Sequence, residues 1–68
     1  MMPDTTDLHI THDEIITHEW TAIGYHSIHV LRGIDADGVE WQWMEQHSYD
    51  GKRQEWLPVE VFNMERIS

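Results

Sequence analysis

Residues 39–62 read VEWQWMEQHSYDGKRQEWLPVEVF, and the alternation on either side of their turn decides the fold. Val39, Trp41 and Trp43 alternate with Glu40 and Gln42, while Leu57, Val59 and Val61 alternate with Pro58 and Glu60. A period of two is the mark of a half-buried strand. If Asp50 and Gly51 formed a two-residue loop, Trp41 would face Glu60 and Trp43 would face Pro58, mixing core with solvent. A three-residue loop of Tyr49, Asp50 and Gly51, with Gly51 left-handed, pairs Trp43 with Leu57, Trp41 with Val59 and Val39 with Val61, and is the register expected. It also sets Glu45 against Glu55, a small like-charge cost. Pro58 has no amide hydrogen to donate, so this strand belongs at an edge or carries a bulge.

Outward from this hairpin, Ile28 and Val30 alternate with His29 and predict another strand. The stretch Gly33-Ile34-Asp35-Ala36-Asp37-Gly38 supplies residues that tolerate positive φ or cap their own backbone, so a turn belongs there. Residues 11–23 admit two readings. Thr11 followed by Glu14 matches a capping box, and Ile16, Trp20 and Ile23 form a helical stripe. Yet Ile15, Ile16, Thr17 and Thr21 are β-branched, which favours a strand over residues 14–22. Residues 1–10 lack periodicity and read as a flexible arm with at most a short strand at Leu8 to Ile10. The expected fold is mainly β: an antiparallel meander of three to four strands over residues 11–68, either open or curled toward a small barrel. A short N-terminal helix, giving an α+β fold, is the alternative.

At 68 residues with 40% hydrophobic content and four Trp, the chain is rich enough in apolar groups to fold as one domain and too short for two. A core this small seldom supplies more than about 3 to 5 kcal/mol without disulfides or metal. There is no Cys, so no disulfide or thiolate site exists, and the cytoplasm is the expected compartment. The start, Met1-Met2-Pro3-Asp4, has no basic region and no apolar run, which predicts no secretory signal and a mature protein equal to the whole chain. No stretch approaches the roughly 18 apolar residues of a membrane span.

Charge is the strongest compositional signal. Thirteen Asp and Glu stand against Arg32, Lys52, Arg53 and Arg66, a formal net charge of −9. Direct nucleic-acid binding is excluded as an expectation, since displacing counterions from phosphates needs cations this chain lacks. Its complement is a basic protein surface. Residues 1–31 carry Asp4, Asp7, Asp13, Glu14 and Glu19 with no Lys or Arg, together with five of the six His. Imidazoles in general titrate near pH 6.5, so mild acidification would offset part of that charge.

Chemistry-bearing patterns are weak. The run His9, His12, Asp13, Glu14, His18, Glu19 holds metal-ligand types, but the gap from His12 to His18 fits neither a helical face nor a tight loop, so no metal site is expected. Aligning Gly38 with the invariant glycine of a calcium loop puts Gly33 and Met44 at ligand positions, which neither can fill. Ser48 beside His47 points to the opposite face of a strand, and Ser27 with His26 or His29 is set aside on the same ground; no catalytic residue is expected. A sheet this small also has little room for a pocket of about 300 Å³. Tyr25, Trp41 and Trp43 form a candidate stacking platform, but acidic neighbours favour core roles for the two Trp. Trp20 and Trp56 read as exposed apolar anchors, with Trp56 on the face of Met44 and Gln42.

Taken together, these features predict a non-enzymatic, cofactor-free acidic interaction module: an inhibitor or adaptor that occupies a basic surface of a partner, a nucleic-acid-binding one among the candidates, through Asp13, Glu14, Glu19, Trp20 and Trp56. Small acidic inhibitors of phages and mobile elements share its charge and size, although no family motif links them to it. The alternatives are a His-rich protein responsive to metal or pH, and an assembly subunit that forms a homodimer through open sheet edges.

Overall fold

Residues 11–21 are strand, as the β-branched run Ile15-Ile16-Thr17 favours, and Ala22 and Ile23 are the turn that follows. In the computed structural model, which describes residues 2–68, β1 covers His9–Thr21. It pairs along its length with β2, Gly24–Ile34, through a tight turn at Ala22 and Ile23. The alternative N-terminal helix does not form; the one helical element is a single 3₁₀ turn at Thr5–Asp7. Asp4 caps that turn by accepting from the Thr6 amide at 3.0 Å and the Thr6 hydroxyl at 2.9 Å, and these bonds hold its carboxyl below the usual carboxylate value.

The sheet continues through β3, Glu40–Asp50, to an edge shared by β4, Glu55–Trp56, and β5, Glu60–Arg66. All pairings are antiparallel in the order β1-β2-β3, with β4 and β5 both on β3. The antiparallel meander is as expected, and of its two forms the open sheet is the one adopted. Closure fails because β1 and the broken last strand remain at opposite edges. Among the described residues no helix is long and apolar enough to cross a membrane.

The β2–β3 turn forms where glycine and aspartate predicted it. Asp35 Oδ1 accepts from the amides of Asp37 and Val39, and Gly38 takes φ +81°. Asp35 Oδ2 also accepts from Trp41 Nε1 at 2.9 Å. The indole bond first, then the Val39 amide, lower the Asp35 carboxyl below its usual value.

The last hairpin departs from the expected register. Asp50 Oδ1 accepts from the amides of Lys52 and Arg53, so β3 runs through Asp50 and the loop is Gly51–Gln54, with Gln54 rather than Gly51 at positive φ. Tyr49 therefore pairs with Trp56, Glu45 with Val61 and Trp41 with Arg66. Leu57, Val59 and Val61, read as core, are exposed. Glu45 avoids Glu55. Pro58 does what a proline must in a sheet, separating β4 from β5 on an edge.

The core is small: Leu8, Leu31 and Trp43 are the buried apolar side chains, with Trp41 and Met64 packed against them. Trp43 has no exposed surface. Leu8, which the sequence placed in a loose arm, folds over this end of the sheet. A Cβ at Gly33 would lie 3.0 Å from Trp43 Cη2 and 3.1 Å from Leu8 Cβ, so glycine lets both side chains approach the backbone. At the far end, a side chain at Gly24 would strike the Tyr49 carbonyl oxygen.

Candidate functional site

Cross-strand partners share a face and neighbours along a strand alternate, so the register sorts the side chains into two surfaces. One, the aromatic face, carries Trp20, Tyr25, Tyr49 and Trp56 at one end and the Leu8–Leu31–Trp43 core at the other. Trp20 and Tyr25 have ring centroids 4.4 Å apart, Tyr25 and Trp56 6.1 Å, and Tyr49 and Trp56 5.3 Å. Trp20 is 72% exposed and Trp56 60%. These two anchors, one from each edge, thus meet around Tyr25. Trp56 lies opposite Tyr49 and not on the face of Met44 and Gln42, a consequence of the changed register.

Between the aromatic end and the core lies a polar cluster. Asp13 Oδ1 is 2.9 Å from His29 Nδ1, and His29 Nε2 is 3.1 Å from Ser27 Oγ. The His29 and His47 rings lie 4.3 Å apart. His47 Nε2 is 2.9 Å from Glu45 Oε1, and Glu45 Oε2 accepts from Trp43 Nε1 at 2.8 Å. The objection that separates Ser48 from His47 does not apply to Ser27 and His29: residues two apart on a strand share a face, and here they are bonded.

The Asp13–His29–Ser27 connectivity is that of a nucleophilic triad, with a carboxylate on Nδ1 and a hydroxyl on Nε2. Two features argue against its use. Ser27 is 1% exposed, so its Oγ has no approach for a substrate. It also sits on a central strand paired on both sides, where ladder bonds engage the amides that an oxyanion would need. The cluster reads as a satisfied polar network; no buried side-chain polar atom among the described residues lacks a partner.

The opposite face has a short apolar row, Ile28, Val30, Met44 and Phe62, in the central strands and β5. Around it stand seven carboxylates: Glu14, Glu19, Glu40, Asp50, Glu55, Glu60 and Glu65. Arg32 is the one sheet cation among them, and its Nε donates to Gln42 at 3.0 Å. The aromatic face holds two carboxylates, Asp13 and Glu45, both hydrogen-bonded, and Arg66. The predicted binding residues therefore divide: Asp13, Trp20 and Trp56 on the aromatic face, Glu14 and Glu19 on the acidic one. Glu14 is 3.6 Å from His12 and Glu19 3.6 Å from His26. The apolar row was missed because Met44 and Phe62 meet only across the true register.

The His-rich run is stretched along β1, and among the described residues no group of three or more His, Asp or Glu side chains is placed to hold a metal ion. Surface grooves reach volumes of about 360, 370 and 310 Å³, larger than expected for so small a sheet, but they are open troughs. No protein-family model matches the chain, and no curated protein or solved structure matches it significantly.

Proposed function

We propose that this chain is a non-enzymatic interaction module whose acidic face occupies a basic surface of a partner protein, as an inhibitor or adaptor. The observation that carries this reading is the apolar row Ile28, Val30, Met44 and Phe62 on a face that carries seven carboxylates, with Glu14, Glu60 and Glu65 beside the row and Glu19, Glu40, Asp50 and Glu55 toward its two ends. An apolar centre with a polar rim is the anatomy of a protein interface. The rim is acidic in balance, since Arg32 sits among the carboxylates and Arg53 lies 3.9 Å from Asp50 and 3.7 Å from Glu55, and such a field steers a basic partner and disfavours nucleic acid and acidic proteins. The rim shares the sign of charge of a polyphosphate, which makes a nucleic-acid-binding surface the target class we favour.

The test is capture of partners on the immobilised protein at about 0.05 M and 0.5 M salt, between which the Debye length contracts from roughly 14 Å to 4 Å. Captured proteins should be basic and should elute at the higher salt. Capture that is indifferent to salt would contradict the proposal.

A further inference from the structure

We infer that the aromatic face is covered by a second copy of this chain, giving a two-layer homodimer with its acidic faces outward. A sheet is stable when a second layer covers its apolar side, and here only the Leu8 end has such cover. The rest of the face leaves Ile10, Ile15, Trp20, Trp56 and Val61 in solvent. The accessible surface is 5044 Å², against roughly 4500 Å² expected for a folded monomer of 8.1 kDa. Extents of 43 × 19 Å bound the face, its covered Leu8 end included, at roughly 800 Å², the order of area each partner contributes to a standard stable interface.

Charge selects the occupant. Two copies with a net charge of −9 each repel one another, and meeting through the acidic faces would crowd both carboxylate rims together. The aromatic face is the surface where like-charged copies can meet, because Asp13 is bonded to His29, Glu45 to His47 and Trp43, and Arg66 adds a cation. An isologous pairing sets this patch against itself, so it needs no second protein of matched shape. The inference concerns the face opposite the one proposed for the basic partner, and self-association would persist if no such partner existed.

Sedimentation equilibrium at roughly 1 to 200 μM tests it. The expected result is a dimer, with Trp emission shifting to the blue and the thermal midpoint rising as concentration increases. Trp20→Glu with Trp56→Glu should weaken self-association by at least about tenfold, one or more steps of 1.4 kcal/mol in affinity. Glu14→Gln with Glu60→Gln on the acidic face should not weaken it. If the double Trp variant fails to fold, the concentration dependence of wild-type Trp emission still decides, since Trp20 and Trp56 are the exposed indoles. A folded wild-type monomer at the highest concentration would overturn the inference. So would a dimer that keeps its affinity after the Trp changes, which would point to pairing at the β1 edge.

Discussion

Trp43 and Glu45, two positions apart on β3, are joined by a hydrogen bond from the indole Nε1 to the carboxylate Oε2 at 2.8 Å. The fully buried aromatic of the core is thereby tied to the polar cluster at mid-face, because the other Glu45 oxygen engages His47.

Replacing Glu45 by Leu would leave a buried indole N–H without an acceptor. The expected cost is about 1 to 3 kcal/mol. Glu45→Gln should cost less, since its amide oxygen can still accept from Trp43. Urea unfolding of the two variants compares them; equal, near-zero costs would show that the bond has no structural weight.

The core offers a harsher test. Trp43→Ala removes a large side chain with no exposed surface and should cost about 3 to 5 kcal/mol. That equals the net stability of a domain this small. Gly33→Ala should act in the same direction, because the new methyl must push Trp43, Leu8 and the His9 carbonyl. Loss of the β signal in far-UV circular dichroism is the readout for Trp43→Ala. For Gly33→Ala it is a lower thermal midpoint.

Asp35 sets an acid limit. Its folded pKa lies below the ordinary aspartate value of 3.8, chiefly through the Trp41 indole bond and then the Val39 amide. The stabilisation is present above the unfolded value and is lost as pH falls through the folded one. Wild type should therefore lose thermal stability on acidification below pH 3.8, and Asp35→Asn, less stable at neutral pH, should lose less of it over that window. Parallel curves would contradict the assignment.

The strands were legible because alternation and turn chemistry agree. Val39 to Trp43, Ile28 to Val30 and the Asp35–Gly38 turn each combine a period of two with residues suited to their ends. The last register was not legible, since it depends on Asp50 capping Lys52 and Arg53, and the same Asp-Gly pair equally suits a turn with a left-handed Gly51. That one turn moved Trp56 to the aromatic face and Leu57 out of the core. The Asp13–His29 bond, sixteen positions apart, arises from pairing of β1 and β2 and has no local signature.

Stretching His9, His12 and His18 along β1 also bears on metal. Zinc added to the protein should bind weakly and leave the thermal midpoint nearly unchanged. A submicromolar site lost on His12→Ala or His18→Ala would favour a metal-responsive protein instead.

The central claim is that the acid-rimmed face, not charge in general, engages a basic partner. The direct measurement is capture of the salt-eluted partner by two folded variants, one with Glu14, Glu19, Glu60 and Glu65 changed to Gln and one with the acids of the turns, Asp4, Asp7, Asp35 and Asp37, changed to Asn. Both remove four charges. The account requires the first to lose binding by at least about tenfold, or roughly 1.4 kcal/mol, while the second retains most of it. Equal losses would reduce the −9 to a nonspecific field, and retention by the first variant would contradict the acidic face as the working surface.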